Sequence, residues 1–205
     1  MTGARLGRGR AGAILSRRAT LGVALGFLAA PNRVRAEETP GVALECRDGR
    51  LFWPGGSARA SLGKGGVTRH KSEGDGSTPA GTFGLSLAMY RPDRVTRPAT
   101  ALPMTPLRQS HAWVDDPKDP QYNRLVETPY PAHVEKLWRS DGVYDVLVVV
   151  DYNMNPTVPG AGSAIFLHIA RPNFTPTVGC VAIERDALLH VLEMLGPRST
   201  LTIRA

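Results

Sequence analysis

The chain has 205 residues, a formal net charge of +7, 42% hydrophobic residues and 2 cysteines. This length allows one domain with a full core, and the charge suggests a nucleic-acid ligand. Residues 1–36, however, contain seven arginines and no acidic residue, so the rest has 25 − 7 = 18 basic residues against 18 acidic ones. The excess charge therefore belongs to the amino-terminal segment, and we expect no nucleic-acid partner.

Residues 1–36 have the layout of an export signal peptide. A basic start is followed by an apolar run at 21–30, and Val34-Arg35-Ala36 fits the small-x-small cleavage rule. A bilayer-spanning helix needs about 20 apolar residues, so we expect no retained transmembrane anchor. Residues 16–21 (SRRATL) also resemble a twin-arginine signal. We predict export to the periplasm or cell envelope, with 37–205 as the mature domain; a basic tail on a cytosolic protein is the alternative.

The first part of that domain is predicted to consist of short strands joined by glycine turns. Asp48-Gly49 is typical of a hairpin turn. The glycine-rich stretch 63–81 lacks the GxxxxGK[ST] spacing of a phosphate-binding loop, which favours a tight turn into a strand. The predicted strands cover 42–46, 50–53, 57–62 and 82–89.

Residues 90–137 contain eight prolines interleaved with tyrosines and a tryptophan. Proline is excluded from helix interiors and central strands, whereas aromatic residues are scarce in disordered linkers. We therefore predict a long insertion of ordered coil that packs over one face of the domain and forms a wall of the site.

The last third of the chain predicts two strands, a returning loop and a helix. Residues 144–151 form the most apolar strand candidate, expected at the centre of the sheet, and 164–168 form a strand that ends at His168. A proline-containing loop then leads to Cys180, and leucines at helical spacing predict a helix over about 184–195. Residues 200–204 are expected to form an edge strand. The fold class is therefore mainly β with one C-terminal helix.

His168 and Cys180 suggest a Cys–His nucleophilic site. An imidazolium within hydrogen-bond reach would lower the pKa of the thiol, and the ring could then protonate a leaving amine. Gly179 allows close approach of a substrate, and the N–H groups of Gly179 and Cys180 are candidate oxyanion donors. An inert buried cysteine, or a Cys46–Cys180 disulfide, remains the alternative.

Metal and cofactor motifs are missing from the sequence. There is no CxxC and no HExxH, and the five histidines have no second ligand at metal spacing. We expect neither a metal ion nor another cofactor.

Several motifs together resemble the catalytic domain of the L,D-transpeptidase (YkuD-like) family. The most specific is His168 on a strand followed by a loop and Ser/Thr-x-Gly-Cys, here Thr177-Val178-Gly179-Cys180. Residues 78–83 (TPAGTF) are similar to an upstream TPxGxF segment of the same family. Further segments resemble a particular subgroup of short, exported members of the family. These segments are residues 71–76, 90–93, 122–123 and 162–168.

The resemblance implies a β-sandwich that carries a peptidoglycan cross-linking enzyme involved in cell-wall biogenesis and cell shape. Cys180 would be the acylated nucleophile, His168 the general acid/base and Gly179 part of the oxyanion site. Stem peptides would act as donor and acceptor, without metal or nucleotide, and we expect a monomer. Hydrolysis by the same site (a carboxypeptidase or amidase), or a non-catalytic wall-binding module, is the alternative function.

The chain also departs from the family pattern. Cys180 is followed by Val181-Ala182, whereas many members carry an arginine two residues after the cysteine that is linked to the carboxylate of the substrate. Another cation must replace it, and position 178 is valine rather than polar. The predicted substrate-binding residues are Arg91, Arg94, Tyr122, Asn123 and Arg171. The sequence leaves open whether the cross-link is of the 1,3 or the 3,3 type.

Overall fold

A computed structural model describes residues 41–205. The export signal predicted at 1–36 lies outside the described residues. No helix between residues 41 and 205 is long and apolar enough to cross a membrane.

The described chain forms fourteen strands and one helix, so the prediction of a mainly β fold with a C-terminal helix is confirmed. The helix α1 spans Arg185–Met194. The strands are β1 Ala43–Arg47, β2 Arg50–Trp53, β3 Gly56–Ser61, β4 Val67–Thr68, β5 Thr78–Pro79, β6 Gly81–Tyr90, β7 Met104–Pro106, β8 His111–Val114, β9 Leu125–Glu127, β10 Val134–Lys136, β11 Val146–Val150, β12 Phe166–Ile169, β13 Val181–Ile183 and β14 Thr200–Ile203.

The main sheet closes on itself. Its strand order is β11-β12-β13-β3-β2-β1-β14-β6-β7, and β11 also pairs with β6. The first half of the ten-residue β6 pairs with β14, while its second half pairs with β11. This closure leaves few unpaired strand edges in the main sheet.

The prediction that 144–151 forms a central strand is confirmed in type and position. All five residues of β11 are buried, because both of its faces are covered. Val146, Val148 and Val150 face one hydrophobic cluster, here called the helix-side core, whereas Leu147 and Val149 face a second one, here called the pocket-side core.

Helix α1 follows from its amphipathic sequence. Leu188, Val191 and Leu192 are buried in the helix-side core, and Gly196-Pro197 follow the end of the helix. Leu167 of β12 lies in the same core. Since side chains alternate along a strand, Phe166 and His168 point away from the helix. The helix therefore fixes which face of β12 carries the histidine.

Two predictions about the fold are wrong. Residues 200–204 are not an edge strand, because β14 lies between β1, which is parallel to it, and β6, which is antiparallel. Residues 90–137 are not only coil, since they contain β7 and a separate sheet of order β10-β8-β9. The three strands of that sheet are only three or four residues long and lie between the prolines, which is how the segment forms a ladder despite them.

Candidate active site

His168 is positioned by two neighbouring strands. It lies opposite Leu147 of the antiparallel β11 and opposite Ala182 of the parallel β13. The side chain is only 4% exposed. Its Nδ1 lies 2.9 Å from the carbonyl oxygen of Ile169. Because a carbonyl can only accept, Nδ1 carries the proton and Nε2 of the neutral ring has a free lone pair.

Cys180 immediately precedes β13 and lies on the same face of the sheet as His168. Val181 and Ile183 belong to the helix-side core, whereas Cys180 packs with Phe166 in the pocket-side core. Cys180 and His168 both line a cavity of about 240 Å³. The chain between these two residues, which are twelve positions apart, therefore turns back, as the Cys–His prediction required.

Both cysteines are unbonded. Cys46 lies on β1 in the helix-side core, and Cys180 lies in the pocket-side core. The alternative of a Cys46–Cys180 disulfide is therefore wrong. Burial raises the pKa of the Cys46 thiol to about 12, as expected for a small core side chain.

The sulfur of Cys180 contacts the backbone that leads into β12. Its thiol donates to the carbonyl oxygen of Ala164 at 3.3 Å, and the N–H of Phe166 donates to Sγ at 3.4 Å. Ala164 has φ 52, a conformation that is uncommon for a residue other than glycine. The amide of Ala164 donates to Asn123 Oδ1 at 3.1 Å, which helps to hold this conformation.

The resting Cys180–His168 pair is neutral. Burial raises the pKa of the Cys180 thiol to about 12, and the charge of Glu135 acts in the same direction. Burial lowers the pKa of His168 to about 4. The predicted lowering of the thiol pKa by an imidazolium is therefore wrong for this state, because removing both groups from water disfavours their charged forms. A neutral imidazole can still accept the proton of the thiol as a general base.

Gly179 occupies a position that only glycine fits. Its φ is +146, and a Cβ there would lie 3.0 Å from the carbonyl oxygen of Ser77. Its N–H donates to Thr177 Oγ1 at 3.1 Å, and that hydroxyl donates to the carbonyl of Cys180 at 2.7 Å. The amide of Gly179 thus has a partner already, and its predicted oxyanion role stays a prediction.

Two arginines lie on one wall of the cavity. Arg139 and Arg171 both line it, and both bind the carboxylate of Asp141, at 2.6 and 3.2 Å respectively. The hydrogen bond from Arg139 is the main reason that the pKa of Asp141 is lowered to about 2. The Asp141 carboxylate neutralises only part of this positive charge, so the wall suits an anionic group of a ligand.

The site therefore combines a free thiol, an imidazole with an open Nε2 and a cationic wall. The family model of the L,D-transpeptidase catalytic domain (YkuD) matches residues 39–203. The chain belongs to this family. Its members are cysteine-dependent enzymes that modify peptidoglycan and act on its peptides. A search of curated proteins found no match.

In this L,D-transpeptidase domain, two of the predicted substrate cations do not line the cavity. Arg91 is 3% exposed and makes a bidentate pair with Asp93, while its guanidinium stacks on Trp138 at 3.5 Å from the ring centroid. Arg94 pairs with Asp145 at 3.1 Å. Among residues 41–205, the cations that line the cavity are Arg139 and Arg171, and the sequence had indicated only the second.

Tyr122 and Asn123 lie behind the cavity and hold the loop that forms it. The hydroxyl of Tyr122 donates to Glu73 and accepts from the N–H of Gly162. Asn123 is 2% exposed, and its side chain bonds four partners in the pocket-side region. As described, neither side chain lines the cavity, so their predicted substrate contact is replaced by a positioning role.

The cavity is also lined by three carboxylates that sequence reasoning did not identify. Glu73 lies within the glycine-rich stretch 63–81, whereas Asp115 and Glu135 come from the insertion, which thereby forms a wall as predicted. Tyr144 also lines the cavity, although the sequence had placed it only at the start of a strand. The segment 90–137 also contains many basic side chains, so no local signal in the sequence singled out Asp115 and Glu135.

The described part of the chain contains no candidate metal site. No group of three or more His, Cys, Asp or Glu side chains in residues 41–205 is arranged to hold a metal ion.

Proposed function

We propose that this chain is a peptidoglycan L,D-transpeptidase that cross-links stem peptides through a thioester on Cys180. The observation that supports it most is that the free thiol of Cys180 and the imidazole of His168 line one cavity on the same face of the sheet. The stem peptides contain L,D peptide bonds, and the nucleophile would attack the carbonyl of one of them.

The first half-reaction is acylation. The thiol proton passes to Nε2 of His168 as Sγ attacks the carbonyl carbon, because the neutral imidazole has a free lone pair on Nε2. The resulting tetrahedral intermediate breaks its C–N bond, and His168 returns the proton to the departing amine. A thioester on Cys180 remains, and the carboxyl-terminal part of the donor stem leaves.

The second half-reaction transfers the acyl group to an amine. A neutral diaminopimelate side-chain amine of a neighbouring stem attacks the thioester carbon and loses a proton to Nε2 of His168. The C–S bond then breaks, and His168 reprotonates the sulfur. An amide cross-link is formed and the resting thiol is restored.

The oxyanion of both tetrahedral intermediates requires hydrogen-bond donors. We assign this role to the amides of Gly179 and Cys180, each of which could contribute about 3 kcal/mol. The amide of Gly179 donates to Thr177 Oγ1 in the resting structure, so it would exchange that partner for the oxyanion.

The carboxylate of the stem peptide is assigned to Arg139 and Arg171. Both line the cavity, and their shared partner Asp141 fixes the two guanidinium groups. This pair supplies the positive charge that many family members place two residues after the cysteine. A bidentate guanidinium–carboxylate pair suits this purpose because its geometry matches both oxygens.

The site of action follows from the amino-terminal segment. The export signal predicted at residues 1–36 would deliver the domain 37–205, as a monomer, to the periplasm. There it would contribute to cell-wall biogenesis and cell shape.

Incubation of the purified protein with disaccharide-peptides, followed by mass spectrometry, tests this function. Cross-linked dimers are expected, and their fragmentation identifies which L,D bond was attacked. Cys180→Ala should abolish the dimers, whereas the matched variant Cys46→Ala should retain most activity, since Cys46 lies in the other core. Trimmed monomers alone would instead indicate an L,D-carboxypeptidase or amidase with the same thioester. Loss of activity in Cys46→Ala but not in Cys180→Ala would show that Cys180 is not the nucleophile.

A further inference from the structure

Tyr144 lies at the centre of the candidate active site. It is 5% exposed and lines the cavity beside Cys180. Its ring meets the imidazole of His168 edge-on, with centroids 5.1 Å apart at 86°, and meets Phe166 in the same way at 5.7 Å. Phe166 is also the residue whose N–H donates to Sγ. These contacts fix the tyrosine relative to both reacting side chains.

The hydroxyl of Tyr144 links Cys180 to a carboxyl group. It donates to Glu135 Oε1 at 2.5 Å. The same hydroxyl is close enough to Sγ to lower the pKa of the thiol, although burial and the charge of Glu135 raise that pKa by more. Tyr144 thus has two competing acceptors, the carboxylate of Glu135 and the sulfur of Cys180.

The protonation of Glu135 decides between these acceptors. Burial is the main reason that the pKa of Glu135 is raised. The other charged groups around it are Arg139, which lowers this pKa, and Asp115 and Glu73, which raise it. An ionised Glu135 holds the hydroxyl proton of Tyr144, whereas a protonated Glu135 can itself donate to the oxygen of Tyr144.

We propose that Glu135 and Tyr144 form a hydrogen-bond relay that stabilises the thiolate of Cys180. The relay operates in the form of the enzyme in which Glu135 carries a proton. As the thiol proton moves to Nε2 of His168, the O–H of Tyr144 turns from Glu135 to Sγ, and the carboxyl of Glu135 donates to the oxygen of Tyr144. The relay protons stay on their own oxygens, so the thiol proton is the one transferred. In this relay Tyr144 donates to the reacting sulfur, and Glu135 is a positioning residue that acts through it.

The relay gives the thiolate a hydrogen-bond donor in addition to the backbone N–H. A buried thiolate must be hydrogen-bonded to offset its loss of hydration, and the N–H of Phe166 is one donor. Tyr144 adds a second, and hydrogen bonds to ionised acceptors are the stronger kind. The inference rests on the proposed function only in taking Cys180 as the nucleophile.

The pH dependence of alkylation by iodoacetamide tests the relay independently of any peptidoglycan reaction. Modification of the Cys180 peptide is followed by mass spectrometry in the full chain. Glu135→Gln and Glu135→Ala both remove the charge, but only the glutamine amide can donate to Tyr144. We expect Glu135→Ala to react about tenfold more slowly than Glu135→Gln at pH 7, with the midpoint of its profile about one pH unit higher.

Tyr144→Phe keeps the ring and removes the donor, so it should slow alkylation about tenfold relative to wild type. The matched control is Tyr130→Phe, because Tyr130 also donates to a carboxylate, Asp119, but lies outside the residues that line the cavity. Its profile should equal that of wild type. Equal rates for Glu135→Gln and Glu135→Ala would overturn the relay even if Tyr144→Phe failed to fold. A failure of the proposed function alone would show instead as normal alkylation without cross-linked product.

Discussion

His168 and Cys180 point to the same side of two adjacent parallel strands, and both are almost fully buried. His168 is 4% exposed and Cys180 is 7% exposed. Their burial explains why the pair rests in its neutral form, with the pKa of the thiol at about 12 and that of the imidazole at about 4. A substrate that fills the cavity therefore meets a thiol and a general base, and charge develops only during attack.

Replacing His168 tests whether this base is required. His168→Gln retains a polar side chain but cannot accept the thiol proton, so formation of the thioester should slow by about 10²- to 10⁴-fold. The rate is measured from the mass increase of the protein on incubation with a donor stem peptide. The control is His190→Gln, because His190 is exposed on α1 beside Trp53. Acylation of His168→Gln at the wild-type rate would exclude His168 as the base.

Arg171→Ala tests the assignment of the carboxylate-binding wall. Loss of this cation should raise the KM for the donor stem about tenfold or more with a smaller change in kcat, because a ground-state contact is removed. Steady-state kinetics with increasing donor concentration provide the measurement. Arg94→Ala is the matched control, since Arg94 pairs with Asp145 away from the cavity. If Arg94→Ala raised the KM and Arg171→Ala did not, Arg171 would not be the residue that binds the carboxylate of the donor stem.

The elements that the sequence predicted well are those with local signals. The buried β11 follows from an uninterrupted apolar run, and α1 from leucines at helical spacing. His168 and Cys180 were identified because both belong to one short motif. The edge position of residues 200–204 was wrong because strand neighbours depend on pairing with β1 and β6, more than a hundred residues away in the chain.

The remainder of the site depends on contacts between distant segments. Glu135 and Arg139 lie in or next to the proline-rich insertion, which has no periodicity that would assign side chains to a face. Arg91 was indicated as a substrate ligand by its sequence context, yet Asp93 and Trp138 occupy its guanidinium. The neutral state of the Cys–His pair could not be predicted either, because burial is a property of the folded chain.

Asn123 provides a test of how the cavity is held together. Its Oδ1 accepts from Trp113 Nε1 at 2.9 Å and from the amide of Ala164, and its Nδ2 donates to the carbonyls of Tyr152 and Asn153. Asn123→Ala would leave these buried groups without partners, so we expect a loss of about 3 kcal/mol or more in the free energy of unfolding. Urea unfolding measures this loss.

The matched control for Asn123 is Asn173→Ala, because Asn173 is exposed on the loop between His168 and Cys180. A change within about 0.5 kcal/mol is expected there. Equal stability of Asn123→Ala and wild type would mean that the four bonds contribute nothing net, and that Asn123 does not position Ala164.

The depressed pKa of His168 makes stability depend on pH in a defined direction. Burial lowers this pKa from 6.5 to about 4, so between these values the unfolded chain binds a proton that the folded chain does not. Stability from this group is therefore lost as the pH falls from about 6.5 towards 4, by about 3 kcal/mol. His168→Gln should lose less stability than wild type between pH 7 and pH 4.5, measured by urea unfolding.

Burial also lowers the pKa of His111, but His111 is present in both proteins, so the difference between them isolates His168. Parallel pH profiles for the two proteins would show that the imidazole titrates alike in the folded and unfolded chains, and the lowered pKa of His168 would then be wrong.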